Sequence, residues 1–367
     1  MTIWHLVFRV DSLTCTIARA LSNGGHGVCV WLVDPSYDYG LSGGILRNLR
    51  ETPHVAIVSR DESRLPAVID RLIIQANPRP LESTRDAGLV ARRARAITLI
   101  SAGDRSQPWR TAVKLQSVEA RRLGRHFAKV DRVLYKDGSY HRDLLGLFKP
   151  RHNLGFDVHS QFLRDSELFR MIHAQDWDPA ARRPVLANFV GSRDPRVRAR
   201  ILDAVRPVLQ PGEEGSSARP GKSAVWHEYT DASPVGLGPI EFVKTLTRSD
   251  FTLCPRGYSL VTHRPIEAML RGSIPVLASN ELDLYGIELA DSENCIAVGD
   301  GRWEESMRRI ARIKEHELIR MRKNIRALFD EHLNYDAMAK RFRLRVGVSE
   351  DESESGPLSA PSAAAVS

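Results

Sequence analysis

The sequence predicts an α/β protein of two domains, on three observations. Short β-prone apolar runs alternate with segments of helical periodicity along most of the chain. Its 367 residues suffice for two domains, each with its own core. Charged and apolar fractions are those of a globular protein, and no apolar run is long enough to span a bilayer.

Ile3 to Val10, Thr14 to Ser22 and Val28 to Val33 read as a β–α–β opening, with Asn23-Gly24-Gly25-His26-Gly27 as the turn before the second strand. Thr2 to Val10 carries His5 and Arg9 and lacks a basic lead and a cleavage site, so it reads as a strand, not a signal peptide. Val55 to Ser59 is a third strand. Arg64 to Gln75 reads as a helix, since Leu65, Val68, Ile69 and Leu72 share one side. Asn77-Pro78-Arg79-Pro80 turns the chain into a basic helix, Leu81 to Arg95, and Ala96 to Ser101 is a buried strand.

In the second half, Pro184 to Val190 is a strand, turned by Gly191-Ser192-Arg193-Asp194-Pro195 into a helix from Arg196 to Val205. Pro211 to Ser223 is rich in Gly, Ser and Pro and is expected to be a mobile loop. Pro239 to Arg248 is a helix, Leu289 to Val298 holds a last short strand, and Trp303 to Phe329 is a long, very basic helical region. Tyr335 to Val346 is a final helix. Ser349 to Ser367, acidic and then Ser/Ala/Pro-rich, has little to bury and is expected to be disordered.

Cys15, Cys29, Cys254 and Cys295 show no paired spacing, which argues against zinc and a disulfide framework and for a reducing, cytoplasmic setting. The formal charge of +8 favours anionic partners. Arg92, Arg93, Arg95, Arg121, Arg122, Arg125 and Lys129 form either a solvated face or a contact with a membrane surface or an anionic acceptor. No helix-turn-helix, RNA-recognition, KH or zinc-finger signature is present, so nucleic acid is disfavoured. Asp176-Trp177-Asp178 has the form of a metal-holding D-x-D, but no buried strand precedes it, and it reads as linker.

The chemistry concentrates between Ser249 and Leu277. Asp250 to Cys254 is a strand, Pro255-Arg256-Gly257-Tyr258-Ser259 a turn, and Arg264 to Leu270 a helix stopped by Gly272, after which Ile274 to Leu277 begins another strand. Ligands of open α/β sheets sit at the carboxyl end of such strands. Arg256 and Arg264 can grip a diphosphate through their planar forks. Gly257 permits close approach to the main chain. The helix start near Thr262 offers N–H donors. Glu267, one turn in, can accept from a ribose diol. Gly191 and Arg193 belong to a second glycine loop feeding a helix and are further diphosphate candidates. The alternative is an ordinary βαβ unit in which Arg264 and Glu267 pair one turn apart. Two carboxylates are candidate general bases: Asp11, otherwise an N-cap, and Asp104, otherwise an Asx-turn residue.

The run C-P-R-G-Y-S, then H-R-x-x-E-A, then G-S-I-P-V-L-A resembles the sugar-nucleotide end of exostosin-like glycosyltransferases, glycosyltransferase family 47. Pro184 to Gly191 with Arg196 and Arg198 looks like that family's F-x-G strand and arginine-bearing helix, and Gly155-Phe156-Asp157-Val158 like its G-x-D-V segment. Val261-Thr262-His263 departs from the small or Ser-rich residues usual there. The likeness covers about Gly155 to Leu328 and is strong from Thr252 to Leu277.

The resemblance implies a GT-B fold: two Rossmann-like domains facing a cleft, with the carboxyl-terminal helix returning to the first. The expected division is an acceptor domain at 1–170, a linker at 171–183, a nucleotide-sugar domain at 184–330, the returning helix at 331–347 and a tail at 348–367. It implies an inverting, metal-independent glycosyltransferase without a cofactor, acting in glycan or polysaccharide synthesis. The donor would be a nucleotide sugar, expected to be a UDP-sugar, and the acceptor a saccharide hydroxyl. Gly191, Arg193, Arg256, Gly257, Tyr258, Ser259, Arg264 and Glu267 would hold the donor, and Asp11 or Asp104 would be the base. The rivals are a non-catalytic partner subunit of the same fold, a phosphate- or nucleic-acid-binding protein, and a GT-B-shaped epimerase.

Overall fold

The computed structural model describes residues 2–7, 12–32, 42–59, 65–76, 83–101, 120–121, 123–135, 151–153, 160–163, 165–194, 196–209, 221–229, 236–257 and 262–348. The chain divides into two compact units, one taking Met1–Asp165 and Tyr335–Ser367, the other Ser166–Asn334.

The first unit is built on seven parallel strands: β1 (Thr2–Val7), β2 (Gly27–Leu32), β3 (Val55–Ser59), β4 (Ile69–Ala76), β5 (Ala94–Ser101), β6 (Val130–Tyr135) and β7 (Arg151–Asn153), in the order β3-β2-β1-β4-β5-β6-β7. Helices α1 (Ser12–Asn23), α2 (Ser42–Glu51) and α3 (Ser83–Arg93) connect them. Parallel strands covered on both faces read as continuous apolar runs, and Trp4, Leu6, Trp31, Leu72, Ile74, Ile97, Leu99 and Val133 form one buried cluster here.

That property explains one misreading. The segment expected as a helix from Arg64 to Gln75 contains β4 instead, central in the sheet between β1 and β5. Leu65, Val68, Ile69 and Leu72 fit helical spacing, but Ile69, Leu72, Ile73 and Ile74 are all buried and Val68 is exposed. A strand buried on both sides has no period for the sequence to display.

The second unit starts with α4 (Ser166–His173) and is built on five parallel strands: β8 (Val185–Ser192), β9 (Ser223–Tyr229), β10 (Ser249–Leu253), β11 (Ile274–Ala278) and β12 (Ile296–Val298). Their order is β12-β11-β10-β8-β9. The chain leaves β8 outward to β9, then crosses back to β10 on the other side, so the winding reverses between β8 and β10. In doubly wound sheets this switch point opens a crevice at the carboxyl ends of the two strands. Helices α5 (Arg196–Leu209), α6 (Pro239–Arg248) and α7 (Arg264–Leu270) connect these strands. Strand β9 was not anticipated from the sequence.

The long basic region holds two helices, α8 (Trp303–Arg312) and α9 (Glu315–Leu328), followed by a π-helical turn, Phe329–Leu333. The break is local chemistry: Ile313 is extended, and Glu317 accepts the Lys314 backbone N–H at 2.7 Å to start a new helix. Helix α9 is tied to the sheet by Arg322, fully buried and paired with the buried Asp250 at the start of β10; Lys222 pairs with the same carboxylate.

The last helix, α10 (Tyr335–Val346), packs on α1 of the first unit. Its carboxyl end is bonded to that unit's strands: Thr98 Oγ1 donates to the Val346 carbonyl at 2.9 Å, and Arg132 to the Leu344 carbonyl at 2.9 Å. Arg343 donates to the Ala20 carbonyl at 3.1 Å.

Asp176-Trp177-Asp178 belongs to the second unit and is anchored. Asp176 pairs with Arg271 at 2.6 Å, and Asp178 caps the Ala180 N–H at 2.9 Å. The Trp177 indole is buried against Gly272, donates to the Leu270 carbonyl at 3.0 Å, and lies beneath the Arg326 guanidinium, 4.1 Å from the ring centre. Gly272 has φ +66°, so the residue that stops α7 also makes room for the indole.

Candidate active site

The site gathers at the carboxyl ends of β8, β10 and β11. Two buried hydrogen bonds fix the central pair of strands across the switch point: Asn188 of β8 donates to the Phe251 carbonyl at 3.1 Å and to Thr252 Oγ1 at 2.9 Å. Thr252 is bonded in turn to Ser273 at 2.7 Å. The loops at this end thus start from a rigid edge.

Arg198, on the first turns of α5, joins the two loops. Its guanidinium donates to the carbonyls of Ser192 and Asp194, each at 2.9 Å, and to that of Pro255 at 3.2 Å. It also lies against Gly257: a Cβ built there would sit 2.3 Å from the Arg198 Nη2. A side chain at 257 would push this guanidinium aside. Sequence reading placed Arg198 in the family-like helix but gave it no role in the site.

Arg264, the first residue of α7, turns back to the β8 edge. It donates to the Val190 carbonyl, lies over the Phe242 ring at 4.6 Å, and has its Nη2 near the Cα of Gly191. Its Nε stands 3.7 Å from Glu267, whose side chain is buried. The one-turn pair expected for an ordinary βαβ unit is therefore present, and the same pair sets both groups at the switch point.

Arg256 is different. It is exposed and makes no hydrogen bond or ion pair among the described residues. It is a cation in the loop at the crevice, with its fork uncommitted among the described residues. Arg193 stands at the other extreme. Its guanidinium bonds Glu228 at 2.7 Å and Asp203 at 2.6 and 2.7 Å, and its N–H donates to the Tyr229 carbonyl at 2.7 Å. The sequence could not show this, because Glu228 and Tyr229 lie on the unforeseen β9. The N–H groups expected near Thr262 are only partly available: α7 has seven residues, and the Thr262 N–H points to the Tyr285 hydroxyl at 3.3 Å.

Glu281, in the 3-10 turn Ser279–Leu284 after β11, escaped sequence reading altogether. Its side chain is 1% exposed and its Oε1 has no hydrogen-bond partner. Burial pushes its pKa up to about 8, against the pull of Arg256 and Arg198. No local pattern marks it; its position past the end of a buried strand was the only available signal. Cys254 of the C-P-R-G run is a buried thiol whose pKa burial drives upward, so it is an inert core residue.

Tyr258 and Ser259, and both candidate bases, Asp11 and Asp104, lie outside the described residues, as do Arg122, the Gly155–Val158 segment, most of the Pro211–Ser223 loop and the Ser349–Ser367 tail. Among the described residues no cluster of His, Cys, Asp and Glu is arranged to hold a metal ion, and no helix is long and apolar enough to cross a membrane.

Comparison with solved structures shows the same architecture. TarM of S. aureus, a variant crystallised with fondaparinux, alpha-GlcNAc-glycerol and UDP, matches with a TM-score of 0.55 at 8% identity over 94% of this chain and 99% of its own. HepE of Anabaena, crystallised with UDP, gives 0.52 at 12% identity over 94% and 99%. Sucrose-phosphate synthase of Thermosynechococcus elongatus gives 0.52 at 13% identity over 92% and 96%. At such identities the likeness speaks for the fold, which is GT-B. No curated protein sequence matches. The Exostosin GT47 domain, however, matches residues 109–294, just over half the chain and spanning β8, β10, α7 and β11. With that match added to the arginine-lined switch point, the chain belongs to the exostosin GT47 family of glycosyltransferases.

Proposed function

We propose that the protein transfers a sugar from a UDP-sugar to a saccharide hydroxyl with inversion and without a metal ion. The observation that carries this reading is Arg256, exposed and unpaired among the described residues at the β8/β10 switch point, beside loops that Arg198 and Arg264 lock in place. UDP is the nucleotide bound in the HepE and TarM structures, which supports UDP here.

In this reading the diphosphate lies along Arg256 and Arg264 beside Gly191 and Gly257, and Tyr258 and Ser259 are further donor-binding candidates. Glu267 accepts from the ribose diol. Arg193, held by two carboxylates, supports the loop without touching the diphosphate. The acceptor hydroxyl attacks the anomeric carbon and gives its proton to a base, Asp11 or Asp104, in the first unit. The bond from the anomeric carbon to the diphosphate oxygen breaks, and the bonding pair leaves with the diphosphate. The arginines stabilise that charge as it develops, which is the service a divalent ion gives in other transferases.

The four free cysteines fit a reducing, cytoplasmic compartment. Contact with an anionic surface is assigned to the basic end of the first unit. There partial burial, then the charges of Lys129, Arg125 and Arg92, hold His126 below the ordinary imidazole range.

The test is a transfer assay with a panel of UDP-sugars and oligosaccharide acceptors in EDTA, with the anomeric configuration of the product read by NMR. Transfer with inversion is expected. Nucleotide binding without transfer would mark a non-catalytic partner subunit. Salt-sensitive oligonucleotide binding without preference among nucleotide sugars would mark a nucleic-acid protein.

A further inference from the structure

Glu281 is a buried carboxyl with one oxygen left over. Its Oε1 has no partner although the side chain is 1% exposed. Polar groups left unsatisfied in protein interiors are few, and each calls for a reason. The surroundings supply one. The turn that carries Glu281 follows β11, the immediate neighbour of β10, at the same end of the sheet as the Arg256 loop. Four groups act on it or feel it electrostatically: Arg256 and Cys254 from the β10 end, Arg198 from α5, and Tyr285 from the close of its own turn. None of them hydrogen-bonds to it. Arg198 is occupied by three carbonyls, Tyr285 by the Thr262 N–H, and Cys254 Sγ by the Thr252 carbonyl.

On the donor-site reading above, Arg256 meets the diphosphate. A carboxyl beside that arginine then faces whatever flanks the diphosphate. Oε1 lacks a donor, and phosphate oxygens, being acceptors, cannot supply one. The flanking groups that carry donors are the hydroxyls of the ribose and of the transferred sugar. The ribose falls to Glu267, which sits with Arg264 at the β8 side of β10. Glu281 lies on the β11 side.

We propose that Glu281 recognises the transferred sugar, accepting a hydrogen bond from one of its hydroxyls at Oε1, and so sets which UDP-sugar the enzyme uses. Burial favours its protonated form near neutral pH, so the carboxyl can also donate to a sugar oxygen. A site built to bond a hydroxyl rejects a sugar that lacks it or presents it on the other face far more strongly than an apolar pocket does.

The test uses the purified full-length chain and two substitutions. Glu281→Met fills the same space without an acceptor; Glu281→Gln keeps an acceptor oxygen without charge. Calorimetric titration with UDP, UDP-glucose, UDP-galactose, UDP-N-acetylglucosamine and UDP-glucuronate gives, for each protein, the ratio of sugar-nucleotide to UDP affinity. The expected result is that the wild type favours one or two sugars. Glu281→Met loses that preference about tenfold with UDP affinity within twofold, and Glu281→Gln restores part of it. Melting temperatures discriminate further: replacing an unsatisfied buried acceptor by an apolar group of its shape leaves folding unharmed, so Glu281→Met is expected to melt at or above the wild type. A preference unchanged in Glu281→Met, or UDP affinity lost in step with sugar-nucleotide affinity, would overturn the proposal while leaving the donor-site reading intact. Failure of the wild type to bind UDP at all would overturn both.

Discussion

Arg256 offers the cleanest separation of function from stability. The side chain is exposed and unpaired among the described residues, so its removal costs folding little, within about 0.5 kcal/mol as for surface substitutions generally. If it meets the diphosphate, Arg256→Ala removes charge-assisted hydrogen bonds worth roughly 1.5–3 kcal/mol, a fall of about 10- to 150-fold in UDP affinity. Arg256→Lys keeps the charge and loses the planar fork, so it is expected to recover only part of that loss. Arg198→Ala gives the contrast. It strips three backbone carbonyls of their donor and leaves a space against Gly257, so stability is expected to fall by roughly 2–3 kcal/mol, together with UDP affinity. Calorimetric titration with UDP, paired with urea unfolding for each variant, reads both quantities. Unchanged UDP affinity in a folded Arg256→Ala would refute the donor-site reasoning. A large loss of stability there would show that the side chain has a structural partner after all.

Other expectations follow from the same geometry. Glu267→Ala is expected to weaken UDP binding about tenfold while leaving affinity for inorganic pyrophosphate unchanged; equal effects on both probes would remove Glu267 from the ribose. Gly272→Ala forces a Cβ to within 2.4 Å of the Trp177 ring at φ +66°. A loss of about 2–4 kcal/mol in urea unfolding is expected, and a near-neutral effect would contradict the packing described. Glu281 fixes a pH slope: its folded pKa of about 8 exceeds the ordinary 4.5. Between those values the folded chain holds one more proton than the unfolded chain, so this contribution is full below about pH 4.5 and is lost as pH rises through about 8, by up to a few kcal/mol. Melting curves from pH 5 to 9 should show that decline in the wild type and less of it in Glu281→Met. Vesicles containing phosphatidylserine should sediment the protein at low salt and release it as salt rises, and a variant with Arg92 and Arg125 replaced by Gln should bind less.

The unit from β10 to β11 was legible because every signal in it is local. The apolar run, the Pro-Arg-Gly turn, the helical face and Gly272 follow one another within one stretch, and the structure keeps them in those places. Arg256, Gly257, Arg264 and Glu267 all lie in this one stretch, so the candidates it offers could be read together. Arg198 and Glu281 were not assigned to the site, because what defines them lies far away in sequence: Arg198 reaches Pro255 across 57 residues, and Glu281 is marked only by the absence of a bond. The segment holding β4 misled because burial on both faces erases the alternation that identifies a strand. Arg193 was expected at the diphosphate because its loop resembles an anion site; its two carboxylate partners lie on α5 and on β9.

The return of α10 to the first unit bears on synthesis as well as architecture. The ribosome delivers β1 well before α10, with all of Ser166–Asn334 between them. The second unit is continuous and can complete its core while the chain is still being made. The first cannot: until Tyr335–Val346 emerges, the α1 surface that α10 covers stays open and the Val346 carbonyl that Thr98 bonds does not yet exist. The unit begun first is therefore finished second, and for that interval the α1 face that α10 will cover is exposed to the aggregation that chaperones restrain.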